Sequence, residues 1–571
     1  MKPRRLCVII NSVFHPKAGF RLMKQIKLFI PALCLSLVGS FLLTLYGPLE
    51  LLFTNLEEFH FGFDMLFPLL LLLFAASMIA AMAGFAVCRL IYARLYDLAL
   101  CAAMTAFLCT YIQGMFMAGN LPPLDGSPIR WYLYHRQYAQ SMLLWLAVGI
   151  MVSLGVRFLH MERMRKLFTW LSLFFTSVLL VTLVTVGIQN NGFAPKPGIA
   201  VTKQQEFTMS TQENLVIFVI DAADSRTFSA MLEENPSYGE MLKDFTYYPN
   251  TVSAYPFTKH AIPQMLHGQW YENQEDFLTF SSAAMDASPL LQTLSDGNWR
   301  MGIYEEELTS FYRSEGLSRF ENVSFVKQQF TSRSKVLENE IKLVWFKYSP
   351  WPLKRLTRVE MDRFNQLLKL PEDVSLFHTN NLDFYTDLNN IPVETVSEPC
   401  FRFIHIEGAH VPFRYDENVN LIDESEGSYP QNMACAMTIV HAYLDKLREA
   451  GVYDNTAITL LADHGYGYER EIPIVGRGNP VLAVKGRGEQ HPAMARSEAP
   501  ISYEDLQEAY QRLLKGKTSG EVFDAKEGQI RPRRILLYPY MKEHIMAEYM
   551  QTGHAFDIET MVPTGREYHA K

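Results

Sequence analysis

The chain has 571 residues, more than the ~100–200 of a typical domain, so more than one structural part is expected. Its 52 Lys and Arg against 60 Asp and Glu leave a net charge of −8, which excludes the broad basic field of a nucleic-acid binder. Seven cysteines without a Cys-x-x-Cys or Cys/His zinc spacing exclude a disulfide framework and a zinc finger.

The amino-terminal part is crowded with Leu, Phe, Ala and Met, and five apolar runs come near the ~20 residues needed to cross a bilayer. They are Leu28–Tyr46, Met65–Cys88, Leu98–Met117, Ala139–Val156 and Leu167–Ile188. The first follows a long polar stretch and precedes further spans, so it reads as an uncleaved anchor. Basic residues set the orientation. Arg4, Arg5 and Arg21 precede the first run, Arg89 and Arg94 join the second to the third, and Arg157, Arg163, Arg165 and Lys166 join the fourth to the fifth. The first loop holds Glu50, Glu57, Glu58 and Asp64 and no basic residue. The amino terminus is therefore expected in the cytoplasm, the spans in the cell membrane and the carboxyl part outside. Arg130 and Arg136 in the third loop count against that orientation. The turn Ala118–Gly126, with Asp125, opens the same loop. No run carries a row of charges through its centre, so the spans read as an anchor and lipid platform rather than a pump.

These runs define a five-span domain over 1–189. Residues 190–213, opening on the Pro/Gly-rich Asn190–Gly198, read as a linker. Residues 214–571 have ordinary soluble composition and read as a globular domain.

Asn214–Asp221 is an apolar run with β-branched members, the signature of a buried parallel strand, and it ends on an acid. Asp224, Ser225 and Thr227 then read as a capped helix start. A strand-ending Asp is most simply a turn residue. Thr251–Gly268 contains Pro256, which favours an extended approach, and places Thr258 near the start of a short helix. Such a hydroxyl faces the positive end of the helix, a phosphate-binding position; alone, it reads as a cap without chemistry. Ser288–Trp299 reads as a helix and Arg300–Tyr304 as a strand, followed by three acids, Glu305–Glu307, read as a solvated turn, with a supporting role behind a site the alternative.

Residues 309–398 show no clear period and read as an insertion that shapes a pocket. Cys400–Phe413 is a strand running into a His-x-Pro turn, with His405 inside the strand and His410 at the turn. Tyr429–Ala450 has helical period. Ala457–Gly465 is a second apolar strand that stops at Asp463-His464-Gly465. In open α/β sheets ligands gather at that strand edge, and adjacent Asp and His offer an oxygen and a nitrogen suited to Zn²⁺ or Mn²⁺. Asn479–Gly486 is a further strand; its Lys485, and Arg477 before it, read as solvent-facing cations, with contact to an anionic headgroup the alternative. His491 has no assigned place. Cys400 and Cys435 read as core thiols, with pairing the alternative.

A strand ending in Asp221, a helix start at Thr258 and a strand ending in Asp463-His464 stand in the order of the alkaline phosphatase/sulfatase superfamily. With five preceding spans the chain resembles its membrane branch, the lipoteichoic acid synthases (phosphoglycerol transferases) and lipid A phosphoethanolamine transferases. The resemblance implies an α/β sulfatase-like ectodomain with a central, mostly parallel sheet. It implies an enzyme with one divalent metal, Zn or Mn with Mg possible, held by Asp221, Thr258, Asp463 and His464, with Thr258 as nucleophile. His410 matches the histidine that contacts the phosphoryl group or headgroup. The implied activity moves a phospholipid headgroup, phosphoethanolamine or phosphoglycerol, through a phosphothreonine to a glycan or lipid acceptor of the cell envelope. The alternatives are a hydrolase (a phosphodiesterase, or a sulfatase-like enzyme) using the same residues, and a degenerate ectodomain that only binds. Three departures stand out. The branch has Glu where this chain has Asp221. The run Thr258–Pro263 lacks the Cys and Arg of sulfatases. Ala222 stands where sulfatases carry a second Asp, which argues against a full second metal site.

Overall fold

A computed structural model describes residues 16–570, apart from 57, 60, 120, 123, 125–128, 197, 307, 312, 327–328, 358, 360–363, 365, 370–374, 468–474 and 539–544. Arg4, Arg5, Cys7, Glu57, Asp125, Gly126 and Glu307 thus lie outside the described residues. The chain divides into two compact units, one of 1–196 with 328–369 and one of 197–327 with 370–571.

In the first unit, α1 (Pro16–Phe41) continues through a π-helical turn, Leu42–Tyr46, into α2 (Gly47–Thr54). Then follow α3 (Phe63–Ile91), α4 (Ala93–Phe116) and α5 (His135–Gln189). Among the described residues four helical stretches are long and apolar enough to cross a membrane, the shortest having 24 residues, about 36 Å at 1.5 Å per residue. The sequence predicts five runs. The fourth and fifth fall within α5, which is broken at His160, where φ is 63° and ψ 151°. Hydrogen bonds trace what happens there. Ser141 donates to Gln113 near the end of α4, and Arg165 pairs with Asp97 near its start. Asn190 then donates to the Phe53 carbonyl at the end of α2. The two arms of α5 therefore run in opposite directions, turned at the charged stretch between the apolar runs.

The second part of this unit comes from far along the chain. In α8 (Arg333–Tyr348), numbered after the two helices of the globule given below, Val336, Leu343, Val344 and Tyr348 are buried in one apolar cluster with residues of α1–α5. Gln113 donates to the Ser349 carbonyl, and Lys347 pairs with Glu50. The predicted pocket-shaping insertion thus contributes 328–369 to the unit of the apolar helices. Aperiodic sequence gave no sign of this, because the contacts are long-range.

The second unit is built on a seven-stranded sheet. Its strands are β1 (Asn214–Ile220), β2 (Thr246–Tyr247), β3 (Arg300–Tyr304), β4 (Cys400–Ile406), β5 (Thr456–Leu461), β6 (Leu482–Lys485) and β7 (Ala495–Arg496), in the order β7-β2-β6-β5-β1-β4-β3. The β5–β1–β4–β3 core is parallel and β6 is antiparallel to both its neighbours. Every residue of β1, β4 and β5 is buried, as apolar runs covered on both faces require. Among the helices that follow these strands in the chain are α6 (Ser225–Glu234) after β1, α7 (Thr258–His267) after β2 and α9 (Tyr429–Glu449) after β4. Asp224 caps α6, accepting from the amides of Arg226 and Thr227. The predicted linker 190–213 contains two short strands, Gly198–Val201 and Thr208–Ser210; each pairs within the second unit. Cys400 and Cys435 are both buried thiols.

Register fixes the working edge. Ile220 pairs with Ile406, and Val219 with Leu461. The parallel strands therefore end together, and the residues that follow them, Asp221 and Asp463, emerge side by side.

Candidate metal centre and nucleophile

Asp463 is fully buried, and both carboxylate oxygens are engaged. Oδ1 accepts from the amides of Ala222 (2.9 Å) and His464 (2.8 Å), while Oδ2 accepts from the Thr258 hydroxyl at 2.6 Å. Burial opposes charge here. The neighbouring imidazoles of His464 and His405 and the bonds from Thr258 and Ala222 overcome it and hold the carboxyl below the usual carboxylate range.

Thr258 is the first residue of α7; the capping position belongs to Phe257, whose backbone is extended. A cap role would turn the Thr258 hydroxyl back on the helix amides. Instead it faces Asp463, with the open amides of the first turn beside it. The reading as a plain cap fails for that reason.

His464 donates from Nδ1 to the Gly465 carbonyl at 2.8 Å, which leaves Nε2 as the acceptor nitrogen. That nitrogen lies 3.4 Å from Asp463 Oδ2 and 3.9 Å from Asp221 Oδ1. Burial, with the Arg477 charge, lowers the imidazole to about 4, so it is neutral and can act as a ligand. One donor atom each from Asp221, Asp463 and His464 falls within 4.8 Å of the others. Two carboxylate oxygens and a neutral imidazole nitrogen form a donor set that fits a divalent ion such as Zn²⁺ or Mn²⁺. The Thr258 oxygen is a fourth donor beside them.

His410 donates from Nδ1 to the Val411 carbonyl at 2.6 Å, leaving its Nε2 as an acceptor. Burial, then the Arg477 charge, lowers its pKa, and Asp463 and His464 lie within electrostatic reach. The geometry thus gathers Asp221, Thr258, Asp463 and His464 and sets His410 nearby.

Three residues correct the sequence reading. Glu305 is fully buried, not a solvated turn, and its Oε2 lies 2.5 Å from His405 Nδ1. His405 Nε2 lies 3.7 Å from Asp221 Oδ2. Burial lowers the His405 imidazole, but Glu305, with Asp221 and Asp463 behind it, overrides this and pushes it up to about 10. Arg477 is 7% exposed rather than solvent-facing, donating to the Gly467 and Pro256 carbonyls. Lys485 is also buried, but at the opposite sheet edge: it pairs in register with Ile458 and donates to the Tyr453, Thr456 and Gly486 carbonyls. His491 joins that far edge through Glu489 (3.0 Å) and Asp244. The signal for Glu305 was present, since Tyr304 and Glu305 end a strand beside the His405 strand, but the pairing itself is not written locally.

Supporting groups hold the turn after β1. Ala222 has φ of 57°. Tyr429 donates to the Ala222 carbonyl (2.7 Å) and accepts from the Asp224 amide (2.9 Å). Its ring stacks on Tyr466 at 3.8 Å.

No protein-family model and no curated protein matches the sequence. Solved structures with similarity include an alkaline phosphatase superfamily protein from Vibrio parahaemolyticus, at 12% identity and TM-score 0.35, covering 65% of this chain and 85% of that one. A phosphonate monoester hydrolase from Silicibacter pomeroyi is similar at 13% identity and TM-score 0.35, over 62% and 88% of the two chains. The lipoteichoic acid synthase LtaP from Listeria monocytogenes is similar at 11% identity and TM-score 0.34, over 66% and 91%.

Proposed function

We propose that the chain is a membrane-anchored, metal-dependent phosphotransferase of the alkaline phosphatase/sulfatase type, moving a phospholipid headgroup to a cell-envelope acceptor. The observation that carries this reading is the 2.6 Å bond from Thr258 to Asp463, inside the donor set of Asp221, Asp463 and His464. Those three residues and Thr258 would hold one divalent ion, Zn or Mn with Mg also compatible. When bound, such an ion acts as a Lewis acid and lowers the pKa of an oxygen it contacts.

Thr258 is oriented by its bond to Asp463, which is also the proton acceptor within reach. Its oxygen attacks the phosphorus of the lipid phosphodiester. A phosphorus–oxygen bond forms at Thr258 and the bond to the diacylglycerol oxygen breaks; that oxygen takes a proton from solvent, and diacylglycerol stays in the bilayer. An acceptor hydroxyl on a glycan or lipid then attacks the phosphothreonine. Its proton passes to His410 Nε2 and on to solvent, and the Thr258 oxygen is released as it recovers its proton from Asp463. Arg477 supplies a buried positive charge toward the phosphoryl group. Five spans, with the amino terminus in the cytoplasm and the globule outside, would keep the site near its lipid donor and raise its effective concentration.

Mass spectrometry of the full-length protein mixed with phospholipid tests the reading. The expected result is a headgroup phosphate mass on Thr258. No adduct, with Zn or Mn present, sinks the covalent route. Diacylglycerol release at equal rates with and without a glycan acceptor would identify a hydrolase instead.

A further inference from the structure

Asp221 poses a problem that its own backbone does not solve. Its amide donates to the Ile406 carbonyl (3.1 Å) and its carbonyl accepts from the Ala409 amide (2.9 Å). The main chain is fixed, but the carboxylate can still rotate about two side-chain bonds. The structure divides its oxygens between two neighbours: Oδ1 faces His464 Nε2 at 3.9 Å, and Oδ2 faces His405 Nε2 at 3.7 Å. His405 is in turn held from behind by Glu305 at 2.5 Å.

Strand register explains how these side chains meet. Tyr304 pairs with Ile404 and Ile220 with Ile406, so Glu305, His405 and Asp221 fall on one face of three adjacent strands. Glu305 is 0% exposed and His405 3%. A buried ion pair gives little net stability over apolar packing of the same volume. What this pair contributes therefore lies in the residue it touches, Asp221.

We infer that His405, braced by Glu305, is a positioning residue that keeps one oxygen of Asp221 turned toward Asp463 and His464. The inference rests on the metal-site reading above. Asp221 then presents a single oriented oxygen instead of sampling rotamers, and ligand affinity depends on two residues that never touch the ion. Removing partners of this kind weakens metal binding by about 10–100-fold in other sites.

The test is a zinc titration, against a competing chelator, of the full-length protein in detergent and of its His405→Gln and Glu305→Gln variants. His405→Gln is expected to weaken zinc binding by about 10–100-fold. Glu305→Gln acts in the same direction, and the double variant binds no more weakly than His405→Gln, because the two act as a unit. Glu305→Gln keeps an acceptor for the His405 ring, so its metal-free melting temperature should stay within about 3 °C of the parent. Variants that bind within about threefold of a zinc-binding parent overturn the inference alone. A fall in metal-free melting that tracks the affinity loss marks a merely structural role and also overturns it. A parent that binds no zinc overturns the functional reading, and this inference with it.

Discussion

The Ala222 amide donates to Asp463 Oδ1 at 2.9 Å across 241 positions of sequence. That bond ties the turn after β1 to the end of β5. The turn leaves no room at Gly408, where φ is 57° and an added Cβ would meet Ile220 Cγ2 at 2.6 Å and the Asp221 nitrogen at 2.7 Å. Gly408→Ala should therefore lower stability by about 1–3 kcal/mol and displace Asp221, weakening zinc binding as well. Gly451 is the control: its φ is 71°, but nothing lies within 4 Å of an added Cβ. Gly451→Ala should cost about 1 kcal/mol and leave zinc binding unchanged. Thermal unfolding and zinc titration check both.

Thr258→Ala removes the proposed nucleophile and one hydrogen bond. Headgroup transfer should fall by at least about 10³-fold, while stability changes by only about 1 kcal/mol. Thr258→Ser keeps an oxygen and should retain measurable transfer. Lipid-release assays beside melting curves separate the two effects; transfer by Thr258→Ala at parental rate would reject the assignment.

Metal should stabilise the fold by mass action. Zinc at 100 times its dissociation constant adds about 2.7 kcal/mol, seen as a rise in melting temperature that a chelator reverses. His464→Ala should abolish that rise, since it removes the Nε2 donor 3.9 Å from Asp221.

A pH dependence should arise away from the site. Glu206 is 1% exposed, and neither carboxylate oxygen has a hydrogen-bond partner among the described residues. Burial, reinforced by Asp387, pushes its carboxyl up to about 8. The unfolded value is about 4.3, so between these pH values the folded state binds more protons. Stability from this group is full below about pH 4 and is lost as pH rises toward 8. Glu206→Gln should differ from the parent least at pH 4 and be more stable by a few kcal/mol at pH 8.5. A pH-independent offset would contradict the assignment.

Much of the sheet edge was legible because each strand is a continuous apolar run that stops on a polar residue. Asp221 and Asp463-His464 could be placed from those stops, and Thr258 from the proline before a helical period. Glu305 and His405 could not, because their meeting depends on the register of β3 against β4, about 100 residues apart. Arg477 lies between two glycines and looks like a turn cation; its burial comes from the Gly467 and Pro256 carbonyls that it reaches. The reversal within α5 was legible as charge between two apolar runs, whereas the membership of 328–369 was not.

The interleaving of the two units bears on how this protein can be cut. The chain passes from one to the other near 196, 327 and 369. A fragment begun at 198 would still carry α8, but without the helices that cover Leu343, Val344 and Tyr348, now 5%, 3% and 1% exposed. Wetting that face favours self-association. A tractable water-soluble version therefore requires two edits, the removal of 1–196 and the replacement of 328–369 by a short flexible bridge.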